Sequence, residues 1–290
     1  MLLEDKRPIR IVVIDGSVRY QGTCPDQGGK TTKLAKHAMV ARPSGVKVDY
    51  IDLRVKGDGM IVQPCKGCVS TAGGFHCHWP CSCYGPGSGG SDLPDLMYDQ
   101  SVYDKLKQCD GFLVFTPTHW YAPSTSVKAM FDRLVCASRT LTVDDASRLT
   151  GGNIKDASKT RPLSKAGEHD HLLQDHLAGR IGGFFIHGLD GANDFKWNSK
   201  TPGNPPDQIP TLDPRDERGY DPVDALEGVI RTCRYMGIKV PEDLVVGLVL
   251  GNNRVDYAGA NDLPLLDAKR KAAALMKGLV KEIRKQQPGT

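Results

Sequence analysis

The chain has 290 residues, 39% hydrophobic and 25% charged, and 38 basic against 34 acidic side chains leave a net charge of +4. Such a chain buries a full core and has room for one large α/β domain with insertions or for two domains. The mild charge gives no argument for a nucleic-acid partner, and the longest apolar run, Leu244 to Leu250, falls far short of a membrane span. Charges within Met1 to Arg10 interrupt the apolar stretch that a signal peptide needs, so a cytoplasmic protein with no membrane partner is expected. Nine cysteines are many for that compartment, and an odd number speaks against a disulfide framework.

In chain order, Ile9 to Ile14 reads as a strand buried on both faces, and Thr31 to Ala41 as a helix through Leu34, Ala35, Ala38 and Met39. Val46 to Leu53 alternates as a second strand. Residues 55–97 are a Gly- and Cys-rich excursion without periodicity. Tyr98 to Gln108 has helical spacing, Gly111 to Thr116 is a third strand, and Val127 to Arg133 begins its following helix. The polar stretch Arg139 to Gln174 reads as part of an insertion over about 138–178, and proline-rich Phe195 to Tyr220 as an irregular arm over about 193–220. Gly179 to His187 is a fourth strand, and Pro222 to Met236 a helix that Asp221 can cap. Val245 to Gly251 is a fifth strand. Asp262 to Gln286 closes the chain as a helix with Leu265, Ala268, Ala272, Leu275, Leu279 and Ile283 on one face. This alternation predicts a single domain built on a doubly wound five-stranded parallel sheet with helices on both faces. The order of its strands cannot be read from pattern.

The first strand runs into Asp15-Gly16-Ser17-Val18-Arg19 and, after a detour to Gly28-Gly29, into a helix at Lys30-Thr31-Thr32. A helix start offers unpaired N–H groups and the positive end of its dipole, so it binds phosphate. Ser17, Thr31 and Thr32 add hydroxyls, and Arg19 and Lys30 add charge. A P-loop would need glycine where Cys24 stands, and G-x-G-x-x-G is absent. A single phosphomonoester such as that of FMN fits better than a triphosphate or a dinucleotide. A second loop follows the buried run Gly111 to Phe115. It carries Thr116-Pro117-Thr118, three aromatic rings in His119, Trp120 and Tyr121, then Pro123 and Ser124. Prolines hold its backbone and the rings supply flat faces, at the strand end where open α/β sheets bind ligands. That suits a planar cofactor.

Gly16-Ser17-x-Arg19 with Gly29-Lys-Thr-Thr-Lys-Leu-Ala35 resembles the phosphate loop GSxR…GNTxKL of the NAD(P)H-dependent FMN reductase group of the flavodoxin-like superfamily. Asp52-Leu53, Cys65-Lys-Gly-Cys68, and Thr116-Pro117 with Tyr121 and Lys128 to Arg133 are similar to further motifs of that group, closest to its multimeric flavodoxin and iron–sulfur flavoprotein branch. The likeness is good over about 9–137 and in outline over 179–285. Lys30 departs from the usual asparagine, and Cys24-Pro25 lie in an insertion. The resemblance implies a flavodoxin-like fold, FMN as cofactor, NAD(P)H as co-substrate, a small-molecule electron acceptor, and a homodimer or homotetramer. By position, Ser17, Arg19, Lys30, Thr31 and Thr32 would hold the phosphate. Pro117, Thr118, His119, Trp120 and Tyr121 would line the ring, and His187-Gly188 would form the third flavin loop. The flavin carries the chemistry; His119 and Tyr121 are candidates for substrate contact or proton delivery, against the reading that they only pack the ring.

Cys65, Cys68, Cys77, Cys81 and Cys83 crowd together with His76 and His78 beside them. Two pairs of thiolates can make a tetrahedral zinc or Fe–S site. The iron–sulfur flavoproteins have a tighter cluster in the same region. A metal or Fe–S site, a redox-active dithiol and inert packed cysteines all remain open here. The expected activity is an NAD(P)H-dependent flavin oxidoreductase serving a quinone, a flavin or another small acceptor. The alternatives are a flavodoxin-type electron carrier, a metal-based redox sensor and, last, a nucleotide hydrolase.

Overall fold

The structure, a computed structural model, describes residues 7–19, 29–55, 59–85, 93–188, 222–249 and 263–286. The expected proline-rich arm, the Asp221 cap, Cys24 and the far end of the fifth strand lie outside them. Five parallel strands form the main sheet: β1 (Ile9–Asp15), β2 (Val46–Asp52), β4 (Gly111–His119), β7 (Ile181–Gly188) and β8 (Val245–Val249). Their spatial order is β2-β1-β4-β7-β8. Counted as five consecutive strands this is 2-1-3-4-5, the flavodoxin-like order, whose switch point lies between β1 and β4.

Side chains alternate across a strand, and here both faces are covered, which is why the strands read as unbroken apolar runs. Val12, Ile14, Phe112, Val114, Phe184 and Ile186 face one layer with α4 (Val102–Gln108), α5 (Thr125–Arg133) and α8 (Glu227–Tyr235). Ile11, Val13, Leu113, Phe115 and Phe185 face the other. That second layer is α1 (Lys30–Val40) beside α9 (Leu263–Gln286), whose Ala268, Ala272, Leu275, Leu279 and Ile283 are buried as the spacing predicts. Each fully buried Leu or Phe contributes roughly 1.5–3 kcal/mol through burial.

Several boundaries differ from the sequence reading. The expected helix over Tyr98 to Gln108 is two short ones, α3 (Leu96–Asp99) and α4, broken where Ser101 takes φ 51°. The helix expected over Pro222 to Met236 opens as a 3₁₀ turn at Pro222–Leu226 before α8. The two insertions are neither structureless nor separate. The Cys-rich one holds α2 (Val69–Ala72) and β3 (His78–Trp79); the polar one holds β6 (Leu141–Thr142), α6 (Val143–Thr150) and α7 (Ala157–Ala166). β3 and β6 pair in parallel, His78 with Leu141 and Trp79 with Thr142, as a second small sheet. Thr142 Oγ1 caps α6 by accepting from Asp145 N (3.1 Å), and Asp156 caps α7 by accepting from Ser158 N (2.8 Å).

Arg133, at the end of α5, fastens the Cys-rich insertion to the sheet. Its guanidinium donates to Asp95 Oδ2 (3.0 Å), Tyr103 Oη (3.0 Å) and the Gln63 carbonyl (3.1 Å) and lies over the Tyr84 ring. Both partners of the Arg133–Asp95 pair are essentially inaccessible, at 0% and 1% side-chain exposure.

Candidate functional site

The carboxyl ends of β1, β4 and β7 meet at the switch point. Gly16 N donates to the Phe115 carbonyl (2.8 Å), holding the turn after β1 against β4. A Cβ on Gly16 would sit 2.3 Å from Val127 Cγ2, so only glycine lets α5 approach there. Buried Asp15 steadies the turn from below: Oδ1 accepts from Ser17 N (2.9 Å) and Oδ2 from Tyr50 Oη (2.7 Å). Burial first, and then the Asp15 charge, pushes the Tyr50 phenol far up, so it remains a donor.

Ser17 Oγ accepts from Arg19 N (3.2 Å) and stands against the start of α1, where a Cβ on Gly29 would fall 2.3 Å from it. Gly29 is the N-cap, and no side chain caps α1. Thr31 and Thr32 in its first turn are buried. Thr31 Oγ1 lies 2.8 Å from His187 Nε2, which joins the first turn of α1 to the end of β7. Burial lowers the His187 pKa to about 4, with the charges of Lys30 and His119 adding, so its ring is neutral near pH 7. His119 is lowered as well, by burial and then by the Arg19 charge. Thr32 Oγ1, Thr118 Oγ1 and Ser124 Oγ are buried with no hydrogen-bond partner among the described residues.

β4 runs three residues past its expected end and turns back through β5 (Ala122–Pro123), with Thr118 opposite Pro123 and His119 opposite Ala122. Trp120 and Tyr121 make the two-residue turn at φ 48° and 60°. Tight hairpin turns of this hand normally take Asn-Gly; a Trp-Tyr pair held there is strained, and strain of this kind concentrates at functional sites. Trp120 is 90% exposed at the tip. Ser124 N donates to Thr116 Oγ1 (3.0 Å), tying the return of the hairpin to β4.

Of the residues singled out in the sequence, Ser17, Arg19, Lys30, Thr31, Thr32, Thr118, His119, His187 and Gly188 therefore lie together where the carboxyl ends of β1, β4 and β7 meet the start of α1. A Cβ on Gly188 would lie 2.8 Å from Thr118 Oγ1. Pro117 pairs in register with His187, and Trp120 and Tyr121 are exposed at the hairpin turn. Sequence reasoning missed Asp15, Thr116 and the unpartnered hydroxyl of Ser124. Ser124 had a signal, a hydroxyl residue between a proline and a helical run.

The five cysteines also converge. Cys65, Cys68, Cys77, Cys81 and Cys83 line one pocket with His76, His78, Arg133 and a sixth thiol, Cys136, that no local pattern marked. Cys68 Sγ and Cys83 Sγ are 2.9 Å apart. The hydrogen bond from Cys83 lowers the Cys68 thiol pKa, whereas burial pushes Cys77 up to about 12 and Cys136 well up. Both ring nitrogens of His78 are taken, by Ser82 Oγ (2.9 Å) and the Phe75 carbonyl (3.2 Å), and His76 Nδ1 lies 3.0 Å from Thr160 Oγ1. Among the described residues no group of three or more His, Cys, Asp or Glu has an arrangement that could hold a metal ion. The zinc or Fe–S expectation for Cys65, Cys68, Cys77, Cys81 and Cys83 is thus without support in the geometry.

Residues 9–150 match the family model described as NADPH-dependent FMN reductase. No curated protein sequence matches the chain. Solved structures that overlay on it include an FMN-dependent NADH-azoreductase from Bacillus anthracis (11% identity, 93% of this chain and 99% of that one, TM-score 0.43). An apo NADH:FMN oxidoreductase overlays at 16% identity, 97% and 92% coverage and TM-score 0.42. The Trp repressor binding protein of Bacillus subtilis does so at 16%, 92% and 97%, and 0.40. The fold assignment itself rests on the strand order of the sheet.

Proposed function

Residues 9–150 match the NADPH-dependent FMN reductase family model, and from that premise we propose that the surface at the ends of β1, β4 and β7 is an FMN site. The chain is a flavin oxidoreductase using NAD(P)H; the proposal adds which residues serve that chemistry and where the electrons go. Bound there, FMN would supply hydride acceptance from a nicotinamide and electron release to a second substrate.

The carrying observation is the start of α1, which no side chain caps, held at the carboxyl end of β1 and joined to the end of β7 by the Thr31–His187 contact (2.8 Å). A free helix start at that place offers N–H groups to a phosphate. Ser17, Arg19, Lys30, Thr31 and Thr32 would hold the phosphate at the uncapped start of α1. Neutral His187 orients the Thr31 hydroxyl from across the cleft. The backbone from Pro117 to Tyr121 would meet the ring, with Gly188 leaving room beside Thr118. His119, half-buried beside Arg19 with a lowered pKa, would present a neutral ring near pH 7, one nitrogen free to accept a hydrogen bond or a proton. Tyr121 sits where a second substrate would enter, and the exposed Trp120 face suits a flat acceptor, such as a quinone or a free flavin.

The same reading takes the chain as one flavodoxin-like domain with insertions, acting in the cytoplasm as a homodimer or homotetramer, which light scattering tests. Zinc or an Fe–S cluster is not carried into it. FMN at micromolar concentration should bind and lose fluorescence, and Arg19→Ala should weaken FMN far more than riboflavin. Equal weakening of both would remove Arg19 from the phosphate contact, and failure of the wild type to bind FMN would end the proposal. Steady NAD(P)H oxidation with a quinone separates the enzyme from a mere electron carrier.

A further inference from the structure

The sulfur-lined pocket lies off the flavin cleft, against the far end of α5, and the flavin chemistry does not use it. We propose that Cys68 and Cys83 form a reversible disulfide on reaction with a hydroperoxide, making this pocket a thiol oxidation site in its own right. The pairing follows from distance and access. Cys68 Sγ and Cys83 Sγ are 2.9 Å apart and both residues are partly exposed, whereas Cys77, Cys81 and Cys136 in the same pocket are buried. Cys65 is also partly exposed, but its sulfur accepts from Gly67 N (3.4 Å). Lys66 and the Arg133 guanidinium also line the pocket.

The step balances without a further reductant. One thiolate attacks a peroxide oxygen, the O–O bond breaks, and an alcohol or water leaves, giving a sulfenic acid. The neighbouring sulfur then attacks that sulfenic sulfur. The S–O bond breaks, water leaves and the S–S bond forms. Two electrons and two protons pass from the dithiol to the peroxide. The bond would close the loop from Cys68 to Cys83, which contains α2 and β3, and so would staple the strand that pairs with β6.

Intact full-length protein, reduced and then given hydrogen peroxide in equimolar amount, should lose two titratable thiols and two hydrogens in mass, and dithiothreitol should restore both. Cleavage after Phe75 and Tyr84 separates a peptide with Cys68 from one with Cys77, Cys81 and Cys83. The two should stay joined until reduced. The link should vanish in Cys68→Ser and in Cys83→Ser and persist in Cys81→Ser, with circular dichroism checking that each variant folds. A link that survives in Cys68→Ser or Cys83→Ser, oxidation only to sulfinic acid, or one equivalent of zinc or iron that blocks thiol loss would overturn the proposal. None of these outcomes depends on FMN, so the two readings fail separately.

Discussion

His187 is held neutral inside the cleft, and that makes a measurable demand on folding. Its folded pKa is about 4, against 6.5 for the free side chain, with burial the leading cause. The unfolded chain therefore takes up the proton first. The His187 contribution to stability is full above about pH 6.5 and falls as the pH drops from there towards about 4. Between about pH 7.5 and about pH 5 the loss works out at about 2 kcal/mol, close to a 30-fold shift in the unfolding equilibrium. His78, buried in the insertion and also lowered to about 4, adds a second loss of the same sign and similar size. His187→Gln keeps a polar group for the Thr31 hydroxyl and removes the titration. Urea unfolding of wild type and variant at the two pH values, without added FMN, isolates the effect. The variant should lose about 2 kcal/mol less than the wild type on acidification. Equal losses would show that His187 titrates in the folded cleft as it does in water, and the neutral bridge between α1 and β7 would be refuted.

Asp95→Asn leaves the Arg133 guanidinium buried beside a neutral partner and should destabilise the protein by about 3–5 kcal/mol in denaturant unfolding. Adding Arg133→Met should recover part of that loss, because the pair is wholly desolvated. Thr32→Ala and Ser124→Ala remove buried hydroxyls that lack partners without ligand. Each should leave apo stability unchanged or raise it by about 1 kcal/mol, read by urea unfolding. A loss of apo stability above about 1 kcal/mol would mean that these hydroxyls already have partners.

Much of the candidate site and its framework was legible in the residues. A run such as Gly111 to Phe115 is apolar throughout because both faces of its strand are covered, and that local signature needs no knowledge of neighbours. Ser17, Arg19, Thr31 and Thr32 could be read as a phosphate loop because a glycine turn and a helix start are themselves local structures. The break at Ser101 and the hairpin at Trp120-Tyr121 went unread. A bulky residue at positive φ is locally unfavourable and is imposed by what surrounds it.

Sequence alone determined the alternation of strands and helices, the loops after the first and third strands and the crowding of five cysteines, all set by composition and periodicity over a few residues. Tertiary structure decided the rest. The order β2-β1-β4-β7-β8 chose which loops would lie side by side and so brought His187 onto Thr31 across more than 150 positions. The pairing of β3 with β6 joined two insertions that read as unrelated, and Cys136 entered the thiol pocket from the end of α5. Such contacts draw their free energy from burial and hydrogen bonding between distant segments. No local spacing encodes which distant partner a segment will meet.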